Sequence, residues 1–83
     1  MKPHVKIYMD YFGYGEQDVV PCELCGRPAV DVHHIKYRSQ GGRDEIENLM
    51  ALCREHHDKA HSHEIKAEIL WAKHYDFLRK KLA

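Results

Sequence analysis

Two pairs of potential metal ligands, separated by residues 26–52, constrain this chain more than any other feature. They are Cys22-x-x-Cys25 and Cys53-x-x-His56, and each pair has the internal spacing of a zinc knuckle. Together they supply the four sulfur and nitrogen ligands of a closed tetrahedral site. The alternative is three free buried cysteines in a reducing compartment, since an odd number of cysteines does not pair completely into disulfides. The spacing favours a structural zinc ion.

A stabilising metal ion is plausible on physical grounds in a chain of 83 residues, which is long enough for one domain only. A domain of this size buries about 60% of its unfolded surface, so it commonly depends on a metal, a disulfide or oligomerisation. The sequence has no run of about 18 apolar residues, and its charged start does not resemble a secretory signal. We therefore expect a single domain, residues 1–83, in the reducing cytoplasm and without a membrane partner.

The first part of the chain, residues 1–21, is predicted to be an N-terminal arm. Its apolar residues alternate loosely at Val5, Ile7 and Met9, which is the period of a short strand or an extended segment. Glycines and a proline follow, so irregular structure is expected up to residue 21. The zinc knuckles and the core are then expected within residues 22–61.

The last part, residues 62–82, is predicted to be one C-terminal helix with Ser62 as its N-cap. At 100° per residue, one arc of this helix gathers apolar side chains, namely Ala67, Trp71, Tyr75, Leu78 and Leu82. This periodicity predicts that the arc packs against the rest of the domain. Leu70 and Phe77 fall outside the arc, so we expect them either to cover the N-terminal arm or to form a partner surface.

A second group of potential ligands consists of His33-His34 and His57-x-x-x-His61. His57 and His61 are four residues apart and share one face of a helix, which suits chelation of a single ion. His56 points about 100° away from His57, towards the first site. On a strand His33 and His34 point to opposite sides, so one of them is expected to join the ion. The other would stay close to the metal as a candidate base.

The charge of the chain gives no simple indication of a partner. The formal net charge is zero, whereas nucleic-acid binders are usually basic. The segment 35–43, however, carries positive charges at Lys36, Arg38 and Arg43 and no acidic residue. These three side chains are candidate phosphate contacts, with a solvated surface as the alternative. Overall neutrality is therefore weak evidence against a polyanionic partner.

In order and spacing, these motifs resemble the HNH endonucleases. The resemblance covers residues 22–61 and includes, besides both ligand groups, the runs 32–35 and 48–52 and the pair Gly41-Gly42. The doubled histidine, the asparagine and the two helix histidines are similar to those of the bacteriocin nucleases of the colicin class. The knuckles are similar to those of phage and restriction-type HNH proteins, although many of these have cysteine where this chain has His56.

The resemblance implies an α+β fold of the small ββα-metal type. In this sequence the strands would lie near 30–34 and 49–52, and the helix would span 54–61. A structural zinc knuckle and the C-terminal helix would complete the domain.

The resemblance also implies roles for single residues. His34 would be the general base that activates water, and Asn48 would hold the backbone around that base. The catalytic metal would be zinc, nickel, manganese or magnesium, and neutral imidazoles favour the first three. Its implied ligands are His33, His57 and His61. Asp31 lies two residues before His33 on the same strand face, so it is expected either to bind the metal as a further ligand or to orient a ligand histidine, with a solvated carboxylate as the alternative.

The implied activity is metal-dependent hydrolysis of DNA phosphodiester bonds, leaving 5′-phosphate and 3′-hydroxyl ends. Low sequence specificity is expected from the small size of the chain, which leaves no dedicated recognition helix beyond the catalytic unit. One site cuts one strand, so a monomer would nick, and a double-strand break would need a weak homodimer or two encounters. The alternative is a catalytically inactive, zinc-stapled DNA-binding module, or a subunit of a larger phage or DNA-processing complex. His34 and Asn48 distinguish the two, because a binding module has no need to retain both.

Overall fold

The computed structural model describes residues 1–82, with only the backbone of Leu82, and contains three helices around a two-stranded hairpin. The α-helices and strands are α1 (Pro3–Phe12), β1 (Asp31–His34), β2 (Leu49–Leu52), α2 (Arg54–His61) and α3 (Ala67–Leu82), and two short 3₁₀ helices, Arg38–Gln40 and Ile46–Asn48, lie between the strands. The predicted α+β arrangement of hairpin and helix is confirmed, and both strands and α2 lie where the sequence placed them. Within the described residues, no helix combines the length and the apolar character needed to cross a membrane.

The hairpin forms the middle layer of the molecule. β1 and β2 pair antiparallel with Asp31 opposite Leu52, and every side chain of β2 is fully buried. Because successive side chains on a strand point to opposite faces, Met50 and Leu52 pack with residues of α2 and α3. Leu49 and Ala51 pack on the other side, against α1. Helices on both faces therefore hold the hairpin in place.

The N-terminal segment is helical, so the predicted strand or extended arm is wrong. Pro3 lies in the first turn, and Gly13 at φ 73° caps the C-terminus of the helix. These are the usual boundary residues of a helix. Val5, Tyr8 and Phe12 follow helical spacing and pack in the core cluster on this face of the hairpin. The loose alternation in the sequence was too short to outweigh that period.

The start of the C-terminal helix also differs from the prediction. Ser62 ends α2, and α3 begins at Ala67 rather than at residue 62. Between the helices His63 adopts a φ of 64°. A side chain other than glycine rarely takes this left-handed conformation, which is incompatible with a continuous right-handed helix.

The buried face of α3 coincides only in part with the predicted arc. Leu78 of the arc is buried and Trp71 packs partly buried against the core, but Ala67 and Tyr75 of the arc are exposed. Leu70 and His74, which lie outside the arc, are buried instead. The side chain of Leu82, which also belonged to that arc, lies outside the described residues. The arc was misplaced because the polar His74 was assigned no role in the core. The structure satisfies both of its ring nitrogens inside the protein.

This rotation of α3 overturns the predicted partner surface. Leu70 is 2% exposed and belongs to the core cluster around Met50. Phe77 packs edge-on against Phe12, with 5.6 Å between the ring centroids. Phe77 therefore covers the N-terminal segment, which was the other alternative raised by the sequence.

Candidate active site and metal centres

The first predicted ligand group converges in the structure. The ligand atoms of Cys22, Cys25, Cys53 and His56 all lie within 4.8 Å of one another. Cys25 Sγ is 3.7 Å from Cys53 Sγ, and His56 Nδ1 is 3.3 Å from Cys53 Sγ. Zinc–ligand bonds of about 2.0–2.3 Å place tetrahedral ligand atoms about 3.3–3.8 Å apart. The Cys₃His cluster therefore fits a structural zinc ion.

Local backbone geometry presents these four ligands. Cys22 and Cys25 lie on a tight turn in which Gly26, at φ 79°, donates its N–H to the carbonyl of Cys22 at 2.9 Å. Cys53 is the N-cap of α2, and His56 lies in the first turn of that helix. The zinc site thus ties the segment before β1 to the element that follows β2.

Arg27 supports the cluster, although the sequence analysis did not identify it. Its Nε donates to Cys25 Sγ at 3.3 Å, and its guanidinium reaches Glu55 at 3.3 Å. The hydrogen bond from Arg27 is the main reason that the pKa of Cys25 is lowered to about 6. Cys25 is therefore a thiolate at neutral pH, the form that binds zinc. The feature of the sequence that could have identified Arg27 is its position, as a basic residue two positions after the second cysteine.

The second predicted group also converges. His33 comes from β1 and His57 and His61 from α2, and their ligand atoms lie within 4.8 Å of one another. His33 is 4% exposed, and burial, together with the charges of the other two, lowers its pKa to about 4. Burial and the neighbouring His61 also lower the pKa of His57. These two imidazoles are neutral at pH 7, as metal ligation requires.

Two further observations at His57 fit a metal ion. Its buried Nδ1 has no hydrogen-bond partner among residues 1–82, and leaving such an atom unsatisfied costs about 1–3 kcal/mol. The carboxylate of Asp31 lies 3.6 Å from His57 Nε2, outside the group of mutually close ligand atoms. A carboxylate in that position is suited to orient a ligand imidazole.

Tyr37 restrains the exposed member of this cluster. Its ring stacks on His61, with 5.8 Å between centroids and 20° between planes. The same ring meets His33 edge-on at 5.8 Å. The sequence analysis did not identify Tyr37, because nothing in its local spacing links it to the helix histidines.

His34 lies beside the three-histidine cluster and lines the same cavity of about 230 Å³. Its Nε2 is 2.7 Å from Asp44 Oδ1. Because a carboxylate only accepts hydrogen bonds, the proton lies on Nε2 and Nδ1 is the basic nitrogen. The hydrogen bonds from His34 and Arg38 keep the pKa of Asp44 below its usual value. Asp44 is a further residue that the sequence analysis missed.

Asn48 fixes the loop that connects the two strands. Its Oδ1 accepts from the backbone N–H of Lys36 at 2.8 Å. Its Nδ2 donates to the carbonyls of Lys36 and Arg43, both at 3.0 Å. The side chain thus holds both ends of the loop that follows His34, and its role in catalysis remains a prediction.

The three predicted phosphate contacts differ in their position relative to the cavity. Lys36 and Arg43 are exposed and do not line the cavity, and Arg43 lies 3.6 Å from Glu45. Arg38 lines the cavity but donates to Asp44. Lys2 and His4 of the N-terminal segment also line the cavity, and the sequence analysis gave neither of them a role.

The chain is similar to known proteins over its central part. A family model described as HNH endonuclease matches residues 22–63, about half of the chain. Uncharacterized protein YdfU of Escherichia coli (strain K12) is 37% identical over 51 residues, which covers 58% of this chain. The match spans 15% of the length of that relative. No solved structure matches the chain.

Proposed function

Because the chain belongs to the HNH endonuclease family, we propose that it is a metal-dependent nuclease that hydrolyses DNA phosphodiester bonds. One observation carries the proposal: a candidate base, His34, shares one cavity with the three-histidine cluster. A base next to a metal-binding group is what attack of water on a phosphodiester requires.

The roles of the residues follow from their contacts. A divalent ion bound by the three histidines would neutralise charge that develops on the phosphate and on the leaving oxygen. His34 takes the proton of the attacking water through Nδ1, since Nε2 faces Asp44. The negative charge of Asp44 then stabilises the imidazolium that forms. Asn48 keeps the loop after His34 in place through its bonds to Lys36 and Arg43.

A single encounter is expected to nick DNA. Residues 1–82 contain one three-histidine cluster, so one molecule cuts one strand at a time. The products are a 5′-phosphate and a 3′-hydroxyl, as in the family. None of the roles assigned to the site residues involves contact with a base edge, so cleavage is expected at many sequences.

Nicking of supercoiled plasmid by the purified, zinc-loaded protein tests this proposal. Nickel, manganese, magnesium and additional zinc are each added, and relaxed circles are quantified over time. His34→Ala is expected to lower the rate by about 10²–10⁴-fold, the usual contribution of a general base. His63→Asn is the matched control, because His63 is exposed, lies outside the cluster and has a left-handed backbone that asparagine tolerates.

The outcome separates a nuclease from a binding module. Metal-dependent nicking that is lost in His34→Ala and kept in His63→Asn supports the proposal. If no metal gives nicking above the His34→Ala level, the nuclease proposal is wrong. DNA binding without cleavage would then favour the zinc-stapled binding module.

A further inference from the structure

The cavity beside His34 has a wall that lies outside the family match. Lys2 and His4, at the N-terminal end of α1, line this cavity together with the cluster residues His33 and His57. This end of α1 carries three features that favour an anion.

The first feature is an unpaired positive charge. The cavity lining includes two side chains with a permanent positive charge, Lys2 and Arg38. Arg38 is already paired with Asp44. Lys2, in contrast, forms no ion pair with a carboxylate of residues 1–82. Its charge is therefore available to a ligand in the cavity.

The second feature is the uncapped N-terminus of α1, a helix of ten residues. Lys2 occupies the N-cap without a side-chain hydrogen bond to the helix, and the first turn has no acidic residue. Pro3 has no N–H, and the N–H groups of His4 and Val5 have no partner within the helix. The free N–H groups and the positive end of the helix dipole both favour an anion here.

The third feature is a buried histidine without a partner. His4 is 9% exposed and its ring packs against His34 at 4.6 Å between centroids. Among residues 1–82, no hydrogen bond is made by either ring nitrogen of His4. The other buried histidine of a helix, His74, has both nitrogens bonded within the protein. Although the residue is largely buried, neither ring nitrogen of His4 is a fully enclosed atom, so the ring, which lines the cavity, is available to donate to a ligand there.

From these three features we infer that the first turn of α1 binds a backbone phosphate of the DNA substrate. Lys2 supplies the charge, the His4 ring donates a hydrogen bond, and the N–H groups of His4 and Val5 face the same anion. The inference rests on the proposed function in one respect, because it takes DNA as the ligand of this cavity. It adds a phosphate subsite formed by an element outside residues 22–63.

The salt dependence of DNA binding tests the role of Lys2. A fluorescein-labelled duplex is titrated with zinc-loaded protein at several NaCl concentrations without added second metal, and fluorescence anisotropy gives Kd. Loss of one phosphate contact reduces the slope of log K against log salt by about 0.9. We expect this change in Lys2→Gln, with Kd raised about three- to fivefold at fixed salt, the size expected for one exposed ion pair.

Lys6→Gln is the matched control for the loss of charge. Lys6 lies one turn further along α1, pairs with Asp10 at 2.8 Å and does not line the cavity. Its substitution is expected to leave the salt slope unchanged. An equal change of slope in both variants would show a general charge effect and would overturn the inference.

His4→Phe tests the buried imidazole, because the ring shape is kept while the hydrogen-bonding nitrogens are removed. We expect Kd and the KM for plasmid nicking to rise about threefold or more, with kcat within about twofold of the original. If the wild-type protein cleaves DNA, and Lys2→Gln and His4→Phe match it in Kd, slope and KM, the inference is wrong and the nuclease proposal stands. If the slope changes as expected but no metal gives cleavage, the phosphate subsite stands and the nuclease proposal fails.

Discussion

The histidines of this chain differ in what faces each ring nitrogen. His34 faces the carboxylate of Asp44, whereas His57 Nδ1 is buried without a partner in residues 1–82. His74 has a carboxylate at Nδ1 and the carbonyl of Ile46 at Nε2. One side-chain type is thus suited to act as a base, as a metal ligand and as a structural group, and the partner determines which.

Asp44→Asn tests whether the carboxylate orients the base. An amide at this position lacks the negative charge that holds the proton on His34 Nε2. The proton can then lie on Nδ1 instead, and an imidazole protonated there does not accept the proton of the attacking water through Nδ1. We expect kcat for plasmid nicking to fall about 100-fold or more, with zinc content and thermal unfolding unchanged. Asp58→Asn is the control, since Asp58 is exposed and contacts Arg54 on the surface of α2. Equal nicking rates in both variants would contradict a role for Asp44.

Gly42→Ala tests the packing of the loop after His34. A Cβ atom at this position would lie 1.8 Å from the carbonyl oxygen of Lys36, which Asn48 also contacts. The backbone must therefore shift, and we expect a loss of about 1–3 kcal/mol in the free energy of unfolding together with most of the nicking activity. Urea denaturation and plasmid nicking measure the two effects.

Gly15→Ala is the control for that substitution. Its Cβ atom would meet only Asp18, at an ordinary contact distance of 3.6 Å. If Gly42→Ala is as stable and as active as Gly15→Ala, the close approach to Lys36 is not a constraint on the loop.

At the scale of elements, a buried polar network joins α1 and α3 to the zinc turn, which is the turn at residues 22–25 that carries Cys22 and Cys25. Glu23 lies between two zinc-site cysteines, accepts from Tyr8 of α1 at 2.6 Å and contacts His74 of α3 at 2.7 Å. Burial acts to lower the pKa of His74, but the hydrogen bond and charge of Glu23 outweigh it, so the pKa is raised. Both ring nitrogens face acceptors, which identifies His74 as an imidazolium. The orientation of α3 therefore depends on an ion pair formed with the zinc turn.

His74→Ala tests this attachment. Both side chains of the pair are 0% exposed, and removal of one partner of a buried ion pair costs about 3–5 kcal/mol because the other charge is left uncompensated. We expect that loss in the free energy of unfolding of the zinc-loaded protein, measured by urea denaturation. Lys73→Ala, at the exposed neighbouring position of α3, should change stability by less than about 0.5 kcal/mol. A similar small change in His74→Ala would mean that the network does not hold α3.

At the scale of the whole molecule, one short helix serves both metal-binding groups. α2 contributes His56 to the Cys₃His cluster and His57 and His61 to the other cluster. A zinc ion held by the Cys₃His cluster would therefore fix the helix that carries two of the three candidate catalytic ligands. Folding of the core and assembly of the candidate active site are linked through α2.

Loss of the structural zinc is expected to unfold the domain. Structural zinc contributes an apparent ~10–16 kcal/mol in zinc-finger peptides, which is comparable to the total stability of about 5–15 kcal/mol of a typical domain. We expect Cys25→Ser to lack tightly bound zinc and to show no cooperative melting by circular dichroism. In the original protein, mass spectrometry should find one zinc that survives mild chelation and a second ion that does not.

His61→Ala is the control for the zinc experiment. His61 is exposed and belongs to the second cluster only, so this variant should keep the tightly held zinc and its melting temperature while losing the weaker ion. A Cys25→Ser protein that is folded and free of zinc would contradict the expectation that the domain needs a structural zinc ion in order to fold.

Features marked by short sequence motifs were predicted correctly, whereas the first helix and the buried face of α3 were not. The grouping of both ligand sets follows from spacings of three or four residues and from strand alternation. The hairpin and α2 were implied by the resemblance to the HNH endonucleases, and all of these features are present in the structure. The first helix was missed because three alternating residues were weighed above Pro3 and Gly13. The face of α3 was misplaced in part because His74 was assigned no role, although Glu23, distant in sequence, satisfies its ring inside the protein.

The sequence by itself determined the two sets of candidate metal ligands, because the ligands of one ion recur at short and regular spacings, and its resemblance to the HNH endonucleases implied the hairpin and α2. Only the tertiary structure decided which residues surround those ligands. It placed Asp44 against His34, Arg27 against Cys25, and Lys2 and His4 at the cavity. These contacts join elements that are packed together by burial of the hairpin on both faces. The spacing of residues along the sequence does not reveal this packing. The electrostatic surroundings of the candidate site therefore follow only from the folded structure.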